Sequence, residues 1–199
     1  MQSGPQPPYA APPQPASKFP LWLIIIIVVL GGGVVLVGSL AAIGIFGVRR
    51  YIGAAKTAEA KNSIGAIARG ARAAYERERD TSDGGAANRL CGSATTVPAV
   101  VPAGVKYMPG PGDFATGDDK TGWKCLKFSM TQPIYYQYHY HQGAGYLGTA
   151  ASPGPTGFEA AARGDLDGDG TTSLFALTGT ESGGVITVSP SMEIKDEQE

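Results

Sequence analysis

The chain has 199 residues, of which 43% are hydrophobic and 17% are charged, and its formal net charge at pH 7 is −1. The acidic residues are concentrated after Asp80, which argues against nucleic acid as the partner of that part of the chain. The length suffices for one ordinary domain with a modest core. The sequence contains neither a nucleophile elbow nor a phosphate-cradling glycine motif, so we expect no enzymatic activity and no organic cofactor.

Residues 1–18 contain six prolines and one charged side chain, Lys18. A segment so poor in apolar residues cannot bury a core, so it is predicted to be a disordered, proline-rich tail. The segment is not predicted to be a secretory signal peptide, because a basic n-region is nearly absent and the apolar run that follows is too long for an h-region.

Residues 19–48 are predicted to form a transmembrane helix, because Leu21 to Val48 contains no charged residue and a run of about 18 apolar residues suffices to span a bilayer. Trp22 and Tyr51 lie near the two ends of the run, where aromatic side chains favour the membrane–water interface. Gly38 and Ala42 are spaced to let a second helix approach closely. A lone anchor that tolerates its glycines is the alternative.

Residues 49–80 are predicted to continue as an amphipathic helix into a head domain, since no proline interrupts them. Apolar side chains recur there at steps of three and four and form one stripe: Ile64, Ile67, Ala68, Ala71, Ala74 and Tyr75. Arg72 and Glu76 lie on the opposite side, spaced for an ion pair. We therefore expect the stripe to pack against a sheet or a second helix.

Residues 81–190 are predicted to form a loop followed by a small antiparallel sheet, and residues 191–199 an acidic tail. Prolines favour a loop from Gly84 to Gly122. The predicted strands are Trp123–Met130, Ile134–Gln142, Phe158–Arg163, Leu174–Thr178 and Gly184–Val188. Consecutive short strands with tight connections indicate antiparallel pairing, so the predicted fold class is α+β.

Two arguments about orientation disagree. Arg49 to Arg79 holds eight basic and three acidic residues, whereas Asp80 to Glu199 holds seven basic and fourteen acidic ones. By the positive-inside rule, the basic residues after the apolar run predict a cytoplasmic head. Cys91 and Cys125 instead predict one disulfide in an exported head, with two buried thiols in a cytosolic head as the alternative. We expect a single-pass protein of the inner (cytoplasmic) membrane, with a cytoplasmic N-terminus and a periplasmic or extracellular head.

Oxygen-bearing side chains follow one another at alternate positions from Asp165 to Ser173. Their spacing matches a calcium-binding loop, which makes five residues candidate calcium ligands: Asp165, Asp167, Asp169, Thr171 and Ser173. The twelfth position of such a loop is Ala176, so its bidentate glutamate is missing and weak affinity is expected. An ordinary solvated Asp-Gly turn is the alternative. His139 and His141 share one face of a predicted strand, but no third zinc ligand is apparent.

The segment Lys56–Ile64, the Ala73–Tyr75 segment and the tyrosine-rich strand followed by Gly164–Gly170 together resemble a type IV pilin or pseudopilin. The resemblance implies a long helix whose inner face packs on a small antiparallel sheet. It also implies a structural or assembly subunit of a type IV pilus or a type II secretion-like system, with membrane lipid and other pilin-like subunits as partners of the N-terminal helix.

The sequence departs from that family at two positions. Lys18 precedes Phe19, where pilins have the glycine after which they are cleaved, and Leu23 replaces their glutamate. The departures favour a protein that keeps its tail and stays in the membrane. The alternative function is a bitopic membrane protein whose extracytoplasmic head binds a ligand or partner without assembling into filaments.

Overall fold

The computed structural model describes residues 4, 20–77, 79–80, 86–145, 147 and 152–199. The chain divides into two compact units, one ending at Arg49 and the other comprising Arg50–Glu199, and each is described by itself. The predicted tail at residues 1–18 lies outside the described residues, apart from Gly4, and so does Phe19, where pilins are cleaved but the departures of this sequence favour a retained tail.

The first unit consists of the beginning of helix α1, which runs from Leu21 to Tyr75. The helix begins directly after Pro20, whose carbonyl accepts a hydrogen bond from the backbone N–H of Leu23 at 2.9 Å. Most large apolar side chains from Leu21 to Val48 are exposed. The helix is long and apolar enough to cross a membrane, by length and composition.

In the second unit, α1 ends at Tyr75, five residues before the predicted end at Asp80. The difference has a local cause, because Arg79–Asp80 forms strand β1, which pairs with strand β2, Ala86–Ala87. Just beyond the helix end, the guanidinium of Arg77 donates to the backbone carbonyl of Cys125 at 2.7 Å.

The predicted apolar stripe of α1 is confirmed. All six of its side chains, from Ile64 to Tyr75, are buried in the core of the second unit. The predicted ion pair between Arg72 and Glu76 is also present, at 2.8 Å on the exposed side. The same core contains the inward side chains of the sheet, among them Tyr136, Tyr138 and Phe175, so helix and sheet share one hydrophobic core.

The sheet has six strands in antiparallel pairs, ordered β3-β4-β5-β6-β7, with β8 also pairing with β6. The strands are β3, Ala94–Val97; β4, Tyr136–Gln142; β5, Phe158–Gly164; β6, Ser173–Ser182; β7, Val185–Val188; and β8, Glu193–Lys195. Successive side chains of β4 point to opposite faces of the sheet. The core-facing side chains are Tyr136, Tyr138 and Tyr140, and those on the other face are Gln137, His139 and His141.

Three predicted segments differ from the structure. The strand predicted at Trp123–Met130 is wrong, because Gly122–Leu126 forms a one-turn helix, α2. The helix is closed by Lys127, whose left-handed backbone (φ 53°) lets its N–H donate to the carbonyls of Lys124 and Trp123. The predicted loop from Gly84 to Gly122 contains β2 and β3. The predicted acidic tail contains β8, which pairs with β6.

The result is an α+β arrangement, in which a long N-terminal apolar helix precedes an antiparallel sheet.

Candidate functional site

The acidic turn between β5 and β6 brings together three of the five predicted calcium ligands. One carboxylate oxygen each of Asp165, Asp167 and Asp169 lies within 4.8 Å of the others. Asp165 is buried at the end of β5, while Asp167 and Asp169 are exposed. Three converging carboxylates match the hard oxygen ligands that calcium prefers.

Backbone N–H groups also hold these carboxylates. Asp165 accepts from Gly168 at 2.7 Å and from Gly170 at 3.1 Å, and Asp169 accepts from the N–H of Thr171 at 2.6 Å. The Thr171 N–H and hydroxyl lower the pKa of Asp169, because both stabilise its charged form. Each carboxylate oxygen still has a second lone pair, so the geometry suits both a cation site and a self-sufficient Asp-Gly turn.

The structure does not bring Ser173 into the carboxylate group. Its side chain is buried, and its hydroxyl lies 3.2 Å from the carbonyl oxygen of Gly164 and 2.7 Å from that of Glu199. Thr171 is exposed. Of the five predicted ligands, the three aspartates thus converge, Ser173 points elsewhere, and Thr171 stays a prediction.

Sequence reasoning missed a fourth carboxylate beside the turn, that of Glu199. Burial raises the pKa of the Glu199 side chain, and the charges of Asp167 and Asp169 raise it further. Glu199 lies there because β8 pairs with β6 and returns the chain to the turn. No local pattern predicts that return. The Glu199 carboxylate is not among the three that converge within 4.8 Å, so in this geometry the place of Ala176 at the twelfth position stays without a carboxylate.

A second polar group lies where the sheet meets α1. The Glu59 carboxylate accepts from the N–H of Tyr135 at 3.0 Å and from the hydroxyl of Tyr138 at 3.1 Å. Burial raises the pKa of Glu59, while the hydrogen bonds from these tyrosines and the charge of Lys106 oppose the rise. Lys56 and Lys106 each place an ammonium close to the ring of Tyr135, at 4.5 and 4.8 Å from its centre. The group fastens α1 to the sheet.

The prediction that His139 and His141 share one face of a strand is confirmed, but the environments of the two side chains differ. His139 is buried, and its Nε2 lies 2.8 Å from the amide oxygen of Gln137. That amide donates its own N–H groups to the carbonyls of Pro98 and Ala99, so the imidazole must be the donor to Gln137. Burial lowers the pKa of His139 to about 4, with a smaller effect of Arg163.

His141 is half-buried, and its Nδ1 lies 3.1 Å from the hydroxyl of Ser93. Within the described ranges, the oxygens of the three aspartates in the acidic turn lie close enough together to hold one metal ion, and neither histidine belongs to such a group. The two histidines therefore belong to the packed polar face of β4.

The predicted disulfide between Cys91 and Cys125 is present, with a Cα–Cα distance of 5.8 Å. Both half-cystines are buried, and the bridge joins the segment before β3 to α2. A disulfide is typical of oxidising compartments outside the cytoplasm.

Comparison with known proteins gives no relative: no protein-family model, no curated protein and no solved structure matches this chain. Any functional conclusion therefore rests on the residues and contacts described above.

Proposed function

We propose that the chain is a pilin-like, membrane-anchored structural or assembly protein of a type IV pilus or type II secretion-like system. The observation that carries the proposal is the difference in side-chain burial between the first and the later part of α1. From Leu21 to Val48 the helix exposes apolar side chains suited to lipid, and from Ile64 to Tyr75 it buries its stripe against the sheet. That plan belongs to a subunit with an anchor and a head.

The proposed location is the inner membrane, with the N-terminus in the cytoplasm and the head outside it. The Cys91–Cys125 bridge supports an exported head. The basic residues Arg49 and Arg50 after the apolar run favour the reverse orientation. Protease treatment of intact spheroplasts distinguishes the two, because only an exported head is digested while the membrane remains sealed.

The second candidate function is a membrane-anchored binding module that does not form filaments. It is favoured by Leu23, where the family has a glutamate, and by Lys18, where the family has its cleavage glycine. An apolar side chain at Leu23 cannot form the charged contact that, by the resemblance, registers a new pilin subunit against its neighbour.

Intact-mass measurement of the protein extracted from membranes tests the choice. A mature chain that starts at a methylated Phe19 and that appears in filaments sheared from cells supports the assembly subunit. A chain that retains residues 1–18 and stays in the membrane fraction supports the binding module. A protein that alkaline carbonate releases from membranes contradicts both, because a spanning helix resists that extraction.

A further inference from the structure

Strand β7 forms an open edge of the sheet, because it pairs with β6 on one side only. The pairing extends one residue further, since the N–H of Ser189 donates to the carbonyl of Thr178 at 2.8 Å. Hydrogen-bonded pairs alternate along an antiparallel ladder. Thr187 is therefore bonded to β6, whereas the N–H and C=O groups of Ile186 and Val188 point away from it. No residue in the described part of the chain forms a hydrogen bond with these four groups.

The opposite edge of the sheet is covered. In β3, the carbonyl of Thr95 accepts a hydrogen bond from the indole N–H of Trp123 at 2.8 Å, so α2 lies against that strand. Just before β3, Gly92 exchanges backbone hydrogen bonds with Lys120 and Gly122 at 2.9 and 3.0 Å. Folded proteins protect sheet edges with such covers, or with proline and charged side chains within the edge strand. The four residues of β7, Val-Ile-Thr-Val, include no proline and no charged side chain.

The chain around β7 is uncharged, although the head as a whole is acidic. Asp80 to Glu199 holds seven basic and fourteen acidic residues, whereas Gly183 to Met192 holds no charged residue. Two copies of the head repel each other through their net charge, but they can approach at this edge without bringing like charges together. A basic partner would gain no ion pair there. The charge distribution therefore favours a second copy of this chain as the occupant of the edge.

A second copy also matches the hydrogen-bonding pattern of the edge. About a two-fold axis at Thr187, Ile186 of each copy lies opposite Val188 of the other, and each such pair exchanges two backbone hydrogen bonds. The four outward groups of each copy are then all bonded. The two Thr187 residues form the non-hydrogen-bonded pair between them, with Cα atoms about 4.5 Å apart. The glycine turn at residues 183–184 ends the paired segment on one side, and Pro190, which has no N–H, ends it on the other.

We propose that two heads pair through β7 in an antiparallel, two-fold arrangement that joins their sheets into one. On the core side, the half-buried Val188 of each copy gains the apolar side chain of Ile186 as a cross-strand neighbour. The interface is short, so the association is weak and depends on concentration. The inference goes beyond the proposed function, because it concerns the head alone and applies equally to an assembly subunit and to a binding module.

Disulfide formation at the two-fold axis tests the pairing in the full chain in detergent. The native cysteines are bridged, so Thr187→Cys and Val185→Cys each introduce one thiol. Both side chains are exposed on the same face of β7. The Cα atoms of two copies are about 4.5 Å apart at 187, within disulfide range, and about 13 Å apart at 185. Under mild oxidation, Thr187→Cys is expected to form a covalent dimer at least about tenfold faster than Val185→Cys. Equal rates overturn the inference.

Charges placed at the axis give an independent second measurement. Thr187→Lys puts two ammonium groups opposite each other in a dimer of like copies, whereas Thr187→Glu supplies the opposite charge. An affinity-tagged Thr187→Lys chain is therefore expected to retain an untagged Thr187→Glu chain and to release an untagged Thr187→Lys chain. Equal retention of the two untagged chains overturns the pairing at β7, because any contact between copies then lies elsewhere. Neither outcome depends on whether α1 spans a membrane, so a failure here leaves the proposed anchoring intact.

Discussion

The burial of His139 predicts a specific loss of stability in mild acid. The pKa of this imidazole falls from an ordinary value of 6.5 to about 4 in the folded head. The folded protein therefore binds a proton less readily than the unfolded chain between these two values. The stability contributed by the neutral imidazole is complete above about pH 6.5, and it is lost as the pH falls towards about 4. At about 1.4 kcal/mol per pH unit, the loss amounts to about 3 kcal/mol.

The assay is chemical unfolding of the full chain in detergent, followed by tryptophan fluorescence at several pH values between about 7.5 and 4. Trp123 is a suitable reporter, because it is buried and its indole N–H donates to the carbonyl of Thr95 at 2.8 Å. The substitution Trp22→Phe, in the apolar part of α1, leaves Trp123 as the single tryptophan.

The variant His139→Gln keeps an N–H donor for Gln137 and removes the titrating group. We expect its free energy of unfolding to fall less steeply with decreasing pH, by about one proton's worth of slope between about pH 6.5 and 4. Gln137→Met is the control, because it removes the hydrogen-bond partner and leaves the imidazole buried. It should lower stability at every pH without removing the steep interval.

Glu59 acts in the opposite direction in the same pH range. Burial raises its pKa, so the folded state binds a proton more readily than the unfolded chain, and the fold gains stability from this group as the pH falls. The effect is common to the parent and to His139→Gln, so the difference between the two proteins isolates the imidazole. Identical slopes in these two proteins would refute the reasoning.

Three further predictions follow from the same structure. Alkylation without reductant should leave Cys91 and Cys125 unmodified, and the variant with serine at both positions should lose about 3–4 kcal/mol of stability in the chain-entropy model; ready labelling in unreduced cells would contradict the bridge. Calcium should raise the melting temperature of the chain, and Asp167→Ala should abolish the rise. An equal rise in the variant would show that the acidic turn is an ordinary Asp-Gly turn and not the calcium site. Gly70→Ala should destabilise the head by about 1–3 kcal/mol, because the added methyl carbon would lie 2.5 Å from the carbonyl oxygen of Leu126. Gly65→Ala, on the same helix, would meet only the flexible end of Arg69 at 3.4 Å, and it should be neutral or stabilise by about 0.5–1 kcal/mol; similar stabilities of these two variants would contradict the close packing of α1 on α2.

The features predicted correctly from the sequence have a periodic or compositional basis. The uncharged run from Leu21 to Val48 indicates a helix by length alone, and the buried stripe follows the 3.6-residue period. The tyrosine-rich strand β4 alternates with a period of two. The three aspartates converge because they lie in one tight turn, so their spacing is sufficient to predict that they meet.

The features that were missed depend on contacts between distant parts of the chain. Trp123 lies in a one-turn helix because Cys91 and Thr95 hold that segment from outside. In the sequence Glu59 does not differ from the other charged residues of the helix, and its role depends on its contacts with Tyr135 and Tyr138. Glu199 reaches the acidic turn only through the pairing of β8 with β6. None of these placements leaves a trace in local composition.

The burial of the α1 stripe by later strands has a consequence for biosynthesis. The stripe of α1 is synthesised first. The sheet residues that share its core are synthesised only after the intervening loops, among them Tyr136, Tyr138 and Phe175. During translation the nascent protein therefore exposes an alanine- and isoleucine-rich helix face. The stripe is therefore covered only after β6 has been synthesised, because Phe175 lies in that strand.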